Sequence, residues 1–166
     1  MTAWWWQRPE FVAAQGDRSF QSWAAGVGVG MELYGIADLI PGISGPLYAD
    51  TALPIAERAL LDRFPDTSSW MTAESRETSF RFIGYFGQFF VENLQARWVN
   101  QPEVDDCGWD EGGAALELPW DDRSLFDVFA LTRVALLRRS GHFWSRLYYY
   151  NSHSHQLWVA AGRPSI

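Results

Sequence analysis

Lysine is absent from this sequence. All thirteen basic side chains are arginines, set against twenty carboxylates for a net charge of −7 over 166 residues. A phosphate-backbone binder needs clustered cations, so this balance argues against nucleic acid as the main partner. It favours solubility and attraction of a cationic surface. Cysteine is nearly absent too: Cys107 stands alone, which excludes an intramolecular disulfide and fits a reducing compartment. Long apolar runs are missing. The charge-free stretches at residues 19–31 and 39–49 are short or broken by Gly and Pro, where a bilayer span needs about 20 apolar residues. The opening MTAWWWQRPE has no basic segment followed by a long apolar stretch, so no signal peptide is expected. The expected location is the cytoplasm, with no membrane association.

Aromatic side chains are abundant. Ten Trp and eleven Phe contribute to a 48% apolar composition. Each buried ring removes about 150–250 Å² from water, and a domain of this size buries roughly 70% of its unfolded surface. A single domain spanning residues 1–166 is expected, stabilised by an aromatic core.

Helical pieces are expected near Phe11–Gln15, Arg18–Ala25 and Met31–Ile40, followed by a turn at Pro41–Pro46. Leu53–Phe64 reads as a helix with Pro54 in its first turn, where a missing N–H costs little, and Pro65 beyond its end. From Met71 to Arg97 helix formers run on without proline, with Ser69 or Thr72 as candidate caps and Glu74 and Glu77 at the positive end of the dipole. Arg81, Tyr85, Gln88, Glu92 and Gln95 recur at helical spacing as one polar stripe. The positions between them are apolar, which predicts a helix buried on most sides. Gly84 and Gly87 cost about 1 kcal/mol each there, and close approach of a neighbour, such as an aromatic ring, is the expected compensation. Strands are expected from Arg97 and over Ala114–Pro119, with Glu117 facing water. The segment DDRSLFDVFALTRVALLRR reads as a helix capped by Asp122 or Ser124, with Arg133, Arg138 and Arg139 towards its negative end. Leu157–Ala160 reads as a short strand. The fold class is α+β, several helices packed on a small antiparallel sheet.

Most candidate motifs fail on spacing. GVGVG (Gly26–Gly30) departs from G-x-G-x-x-G and follows no convincing strand. It reads as a flexible loop, with Gly26, Gly28 and Gly30 able to enter a partner's cleft. His142, His153 and His155 lack the ligand spacing of a zinc site. Cys107 sits among carboxylates, which raise a thiol pKa and weaken it as a nucleophile. Ser44 misses the hydrolase elbow pattern. Trp4–Trp6 suits anchoring of the terminus in the core better than stacking on bases. No cofactor or metal is expected.

The densest signal is PEVDDCGWDE (Pro102–Glu111), five of whose ten residues are carboxylates. Nine of the twenty acids fall between Glu103 and Asp127. A calcium loop would alternate its ligands and carry a central Gly, and this stretch does neither. Three readings stand: a paired-carboxylate or metal site, a solvated loop, or an acidic surface for a partner. Trp109 inside the stretch favours the last, because Trp is enriched in interface hot spots.

The absence of lysine, the Arg and Trp excess and the acidity resemble a small actinobacterial cytosolic protein. The arrangement SFRFIGYFGQFFVENLQARWVN followed by AALELPWDDRSLFDVFALTRVALLRR is similar to small bacterial domains of helix, Trp-bearing strand, hairpin and helix. Taken whole, the chain resembles the immunity factor of the tuberculosis necrotizing toxin. The resemblance implies a one-to-one complex with a secreted NAD-hydrolysing toxin whose NAD site the immunity factor blocks. The resemblance carries over no contact residues. The unpaired charge around an aromatic makes Asp105, Asp106, Trp109, Asp110 and Glu111 the expected contact patch, with Gly26, Gly28 and Gly30 a second candidate. The alternatives are a small-ligand-binding protein or enzyme using the aromatic N-terminus and the carboxylates, and a scaffold subunit.

Overall fold

The computed structural model describes residues 5–33, 35–70, 72–102 and 113–164. A 3-10 turn at Trp5–Gln7 leads into α1 (Pro9–Ala14), α2 (Arg18–Leu33), α3 (Ile36–Leu39), α4 (Ala52–Arg63), α5 (Thr67–Trp70) and α6 (Arg76–Leu94). Three strands follow, β1 (Arg97–Gln101), β2 (Gly113–Leu118) and β3 (Asp121–Asp127), then α7 (Val128–Arg138) and α8 (Phe143–Ala160). The strands form one antiparallel sheet in the order β1-β2-β3. Among the described residues, eight helices pack against this sheet, the α+β architecture expected from the sequence.

α6 is the spine because residues 82–90 are all buried and, Gln88 apart, carry apolar or aromatic side chains or none. Phe82, Tyr85, Phe86, Phe89 and Phe90 have no exposed surface. Phe86 stacks on the Trp144 indole at 4.4 Å between centroids and 5° between planes. The polar stripe foreseen on this helix is partly buried as well. Tyr85 donates from its hydroxyl to the Leu47 carbonyl at 2.7 Å. The Gln88 amide accepts from Trp98 Nε1 at 3.0 Å and donates to Glu92 at 2.8 Å. Polar groups go inside when their hydrogen bonds are met, so the middle of the stripe, Tyr85 and Gln88, makes buried polar links, while Glu92 and Gln95 at its end face solvent. The two glycines behave as expected. A Cβ on Gly84 would lie 2.6 Å from Val27 Cγ2 of α2, and one on Gly87 would overlap the Trp98 ring.

The start of α6 differs from expectation. Its N-cap is Ser75, without a side-chain cap. Thr72 accepts from the Ser75 N–H at 3.2 Å and so closes a turn ahead of the helix, and Ser75 Oγ donates to the Ser69 carbonyl at 2.7 Å. Residues 72–75 are therefore used by local side-chain bonds that compete with helix.

The sheet is covered on both faces. Leu116 and Leu118 face the main core, while Val99 and Ala115 meet Phe11 of α1. Glu117 pairs with Arg97 across the β1–β2 ladder. The β1 edge is closed by a side chain: Gln15 Oε1 accepts from Asn100 N at 2.9 Å and Gln15 Nε2 donates to Asn100 O at 2.7 Å. This reciprocal amide pair occupies backbone groups that an edge strand otherwise leaves open to another chain.

Two further expectations are corrected. The first part of DDRSLFDVFALTRVALLRR is β3, not helix, because residues 121–127 pair with β2. The cap of α7 is accordingly Asp127, which accepts from Ala130 N at 2.9 Å, and not Asp122 or Ser124. Leu157–Ala160 is the last turn of α8, not a strand. Its Leu-Trp-Val pattern favours strand locally, but the helix runs on until positive φ at Gly162 ends it.

α4 fixes both later helices. Its Glu57, without exposed surface, accepts from the N–H groups of Phe143 at 3.0 Å and Trp144 at 2.9 Å. A carboxylate here meets two free donors at the positive end of α8. In return Arg139, at the end of α7, donates to the carbonyls of Leu61, Phe64 and Pro65 at 2.8–2.9 Å.

Candidate functional site

The glycines Gly26, Gly28 and Gly30 do not form a loop. They lie inside the sixteen-residue helix α2. Glycine weakens a helix by about 1 kcal/mol per position, but tertiary packing overrides that preference here. Val27 and Met31, one turn apart, are both buried and seat against Gly84 of α6. Gly28 also faces α6, where a Cβ would come within 3.0 Å of Gln88 Nε2. It packs against α6 and is set apart from the other two.

Gly26 and Gly30 are different. A Cβ at either position would meet nothing within 4 Å. Both border a groove of about 550 Å³ between α2 and α6, lined by apolar side chains that include Trp23, Val27, Met31 and Phe80. Ser22, Glu77 and Arg81 supply its polar rim. Trp23 is held edge-on to Trp98 at 4.8 Å, and Arg81 donates to the Gly35 carbonyl at 3.2 Å. Without side chains at positions 26 and 30, an incoming segment can approach the α2 backbone closely. Spacing carried the missed signal: Ser22, Gly26 and Gly30 recur every four residues and so share one helix face, as do Glu77 and Arg81. The chemistry on offer is apolar contact with one carboxylate and one guanidinium at the edge, which suits a protein segment.

Asp105, Asp106, Trp109, Asp110 and Glu111 lie outside the described residues, as do Cys107 and Trp4. Trp6 packs beside the small cluster of Phe11, Val99 and Ala115. Among the described residues, no three or more His, Cys, Asp or Glu side chains gather where they could hold a metal ion. His153 and His155 are two apart on α8, so they point to different sides of it. His155 lies between Trp120 and Trp158, at 5.5 and 5.8 Å between ring centroids. Burial, with Arg163 nearby, holds its pKa below the ordinary value.

A second groove, of about 570 Å³, runs between α3 and α4 and carries both charge signs, Asp38 and Asp62 beside Arg58 and Arg63. The tyrosines near the α6 face stay protonated. Burial, with Glu92 and Glu32 nearby, pushes Tyr48 up to about 12, and burial raises Tyr85 as well. Neither supplies a phenolate at neutral pH. No helix of the described residues is long and apolar enough to cross a membrane. No family model, no curated protein and no solved structure matches this chain.

Proposed function

We propose that the protein is an immunity-type inhibitor, acting in the cytoplasm of the producing cell, that binds a secreted NAD-hydrolysing toxin and occludes its NAD site. The observation that carries this reading is the α2–α6 groove, with an apolar lining next to two glycines whose side-chain positions are open. An occluding inhibitor needs a rigid scaffold and a complementary surface, not reacting groups. Aromatic side chains such as Trp23 and Phe80 are the kind that anchor interfaces. The net charge of −7, with Asp105, Asp106, Asp110 and Glu111 close together in sequence, speeds encounter with a basic nucleotide-binding cleft more than it adds affinity.

The test is titration of the protein into NAD hydrolysis by the tuberculosis necrotizing toxin. Hydrolysis is expected to stop at one equivalent. Changing Asp105, Asp106, Asp110 and Glu111 to Arg is expected to slow association and weaken its salt dependence. Leucine at position 30 is expected to fill the groove and release inhibition without unfolding the protein. Undiminished hydrolysis at a large excess of folded wild-type protein overturns the reading.

A further inference from the structure

Charge is divided sharply along the chain. Residues 128–166 contain five arginines, all three histidines and no Asp or Glu, whereas residues 1–127 hold eight arginines against twenty carboxylates, a net of −12. The basic portion contains α8, which turns an aromatic face outward. Tyr149 and Tyr150 are 70% and 67% exposed, with their rings 5.6 Å apart, and Leu157 is 59% exposed. Arg146 and His153 are exposed about one turn to either side of the tyrosines. A lone exposed leucine needs no explanation, but aromatic, apolar and basic residues along one helix face form a patch.

An acidic ridge adjoins that patch in the same molecule. Tyr148, the residue before Tyr149, and Tyr48 both meet the Phe89 ring of α6, at 5.0 and 6.3 Å between centroids. Glu92 follows on the same helix, held by Gln88 at 2.8 Å. The charges of Asp50 on Tyr148 and of Glu92 and Glu32 on Tyr48 place those carboxylates beside the two tyrosines. All three carboxylates are exposed. We propose that the protein forms a two-fold dimer in which Arg146, Tyr149, Tyr150 and His153 of each copy lie on the Glu32, Asp50 and Glu92 ridge of the other. Two complementary patches side by side on one molecule are satisfied together by a two-fold axis, which closes the assembly at two copies. The same carboxylates beside the patch repel phosphates, so a nucleic acid is the poorer occupant. The tyrosines supply apolar contact, and the charges set orientation and salt dependence. Glu32 and Glu92 lie on α2 and α6, but none of the proposed contact residues lines the α2–α6 groove, and the dimer does not depend on the inhibitor reading.

Light scattering of the purified full chain over a dilution series tests the dimer. Wild type is expected to be dimeric at high concentration and low salt, with dissociation about tenfold easier at high salt, as summed surface ion pairs allow. Arg146→Glu and Tyr150→Glu are each expected to be monomeric with unchanged circular dichroism, while Val12→Glu, an exposed change on α1, is expected to leave the dimer intact. Four results overturn the proposal. They are a monomer at every concentration in low salt, growth beyond two copies, a dimer indifferent to both α8 substitutions, and capture of a single-stranded oligonucleotide that Tyr150→Glu abolishes.

Discussion

The same substitution, Gly→Ala, is expected to change stability in opposite directions at different sites of this molecule. Gly26 and Gly30 lie inside α2, where an added Cβ meets nothing within 4 Å. Neither has the positive φ that favours glycine. Replacing glycine by alanine in a helix interior is worth about 0.8–1 kcal/mol through backbone entropy. With no strain to subtract, the double variant is expected to gain about 2 kcal/mol, or about 4–8 °C in melting temperature for a chain of this size. Gly87 sits in α6, and its propensity gain is the same. There the new methyl group would occupy the space of the Trp98 indole, whose Nε1 is also held by Gln88 at 3.0 Å. Overpacking typically costs 1–3 kcal/mol, and displacing a half-buried indole from its hydrogen bond lies at the upper end. Gly87→Ala is therefore expected to lose about 2 kcal/mol net despite the better helix former. Calorimetry on wild type, the 26/30 double variant and Gly87→Ala reads all three. A destabilised double variant would mean that the α2–α6 groove is closed in solution. A neutral Gly87→Ala would mean that Trp98 is not seated on α6. Either result refutes the packing argument.

Glu57→Gln keeps the size of the buried side chain but removes its charge and turns one acceptor into a donor facing an N–H group. Loss of a charge-assisted bond with one backbone donor left unmet is expected to cost about 3–5 kcal/mol by urea denaturation, and a change within 1 kcal/mol would sink the capping argument. The tyrosines set an alkaline limit. Tyr48 is raised from 10.0 to about 12 in the folded protein, so its neutral form is favoured by folding. The stability it contributes is fully present below pH 10 and is lost as pH rises towards about 12, with Tyr85 shifted in the same direction. Tyr48→Phe is expected to flatten the fall in melting temperature across that window, and an unchanged alkaline slope would show that Tyr48 does not titrate with unfolding.

What the sequence made legible was density and pairing, and what it hid was context. The centre of α6 could be read because residues 82–91 are apolar or aromatic almost without interruption, so no choice of neighbours could leave that stretch on the surface. The compensation for Gly84 and Gly87 was readable for the same reason. A glycine that costs helix stability inside a buried helix implies something pressed against it. The Gly26–Gly30 segment failed because glycine as punctuation is a local rule, whereas Val27 and Met31 are held by contact with Gly84, far away in sequence. The boundary between β3 and α7 failed similarly. Asp122, Ser124 and Asp127 are equally good caps in isolation, and only the pairing of residues 121–127 with β2 selects the last. The α2–α6 groove was half visible, through Gly26 and Gly30, but Glu77, Phe80 and Arg81 come to it from a helix that contacts α2 only in three dimensions.

The two proposed surfaces rest on differently built supports, and that difference predicts how each responds to change. α8 is fixed at its start by two charge-assisted bonds from Glu57, while Arg139 ties the preceding helix to three carbonyls at the end of α4. Such bonds are directional and costly to break in a buried setting, so the outward angle of Tyr149 and Tyr150 is set by the backbone of α4. α2 meets α6 through Val27 and Met31 at Gly84 and through Gly28 at Gln88, contacts that are mostly dispersive and carry little directional penalty. An arriving partner can therefore shift α2 by small amounts at low cost, which suits the docking role proposed for this groove. The α8 face cannot adjust in that way without breaking its cap. Loosening the cap with Glu57→Gln is accordingly expected to weaken the α8-mediated dimer while leaving docking at the α2–α6 groove intact in the fraction that remains folded. Equal loss at both surfaces, measured on folded protein by light scattering and by toxin inhibition, would show that the two supports are not independent.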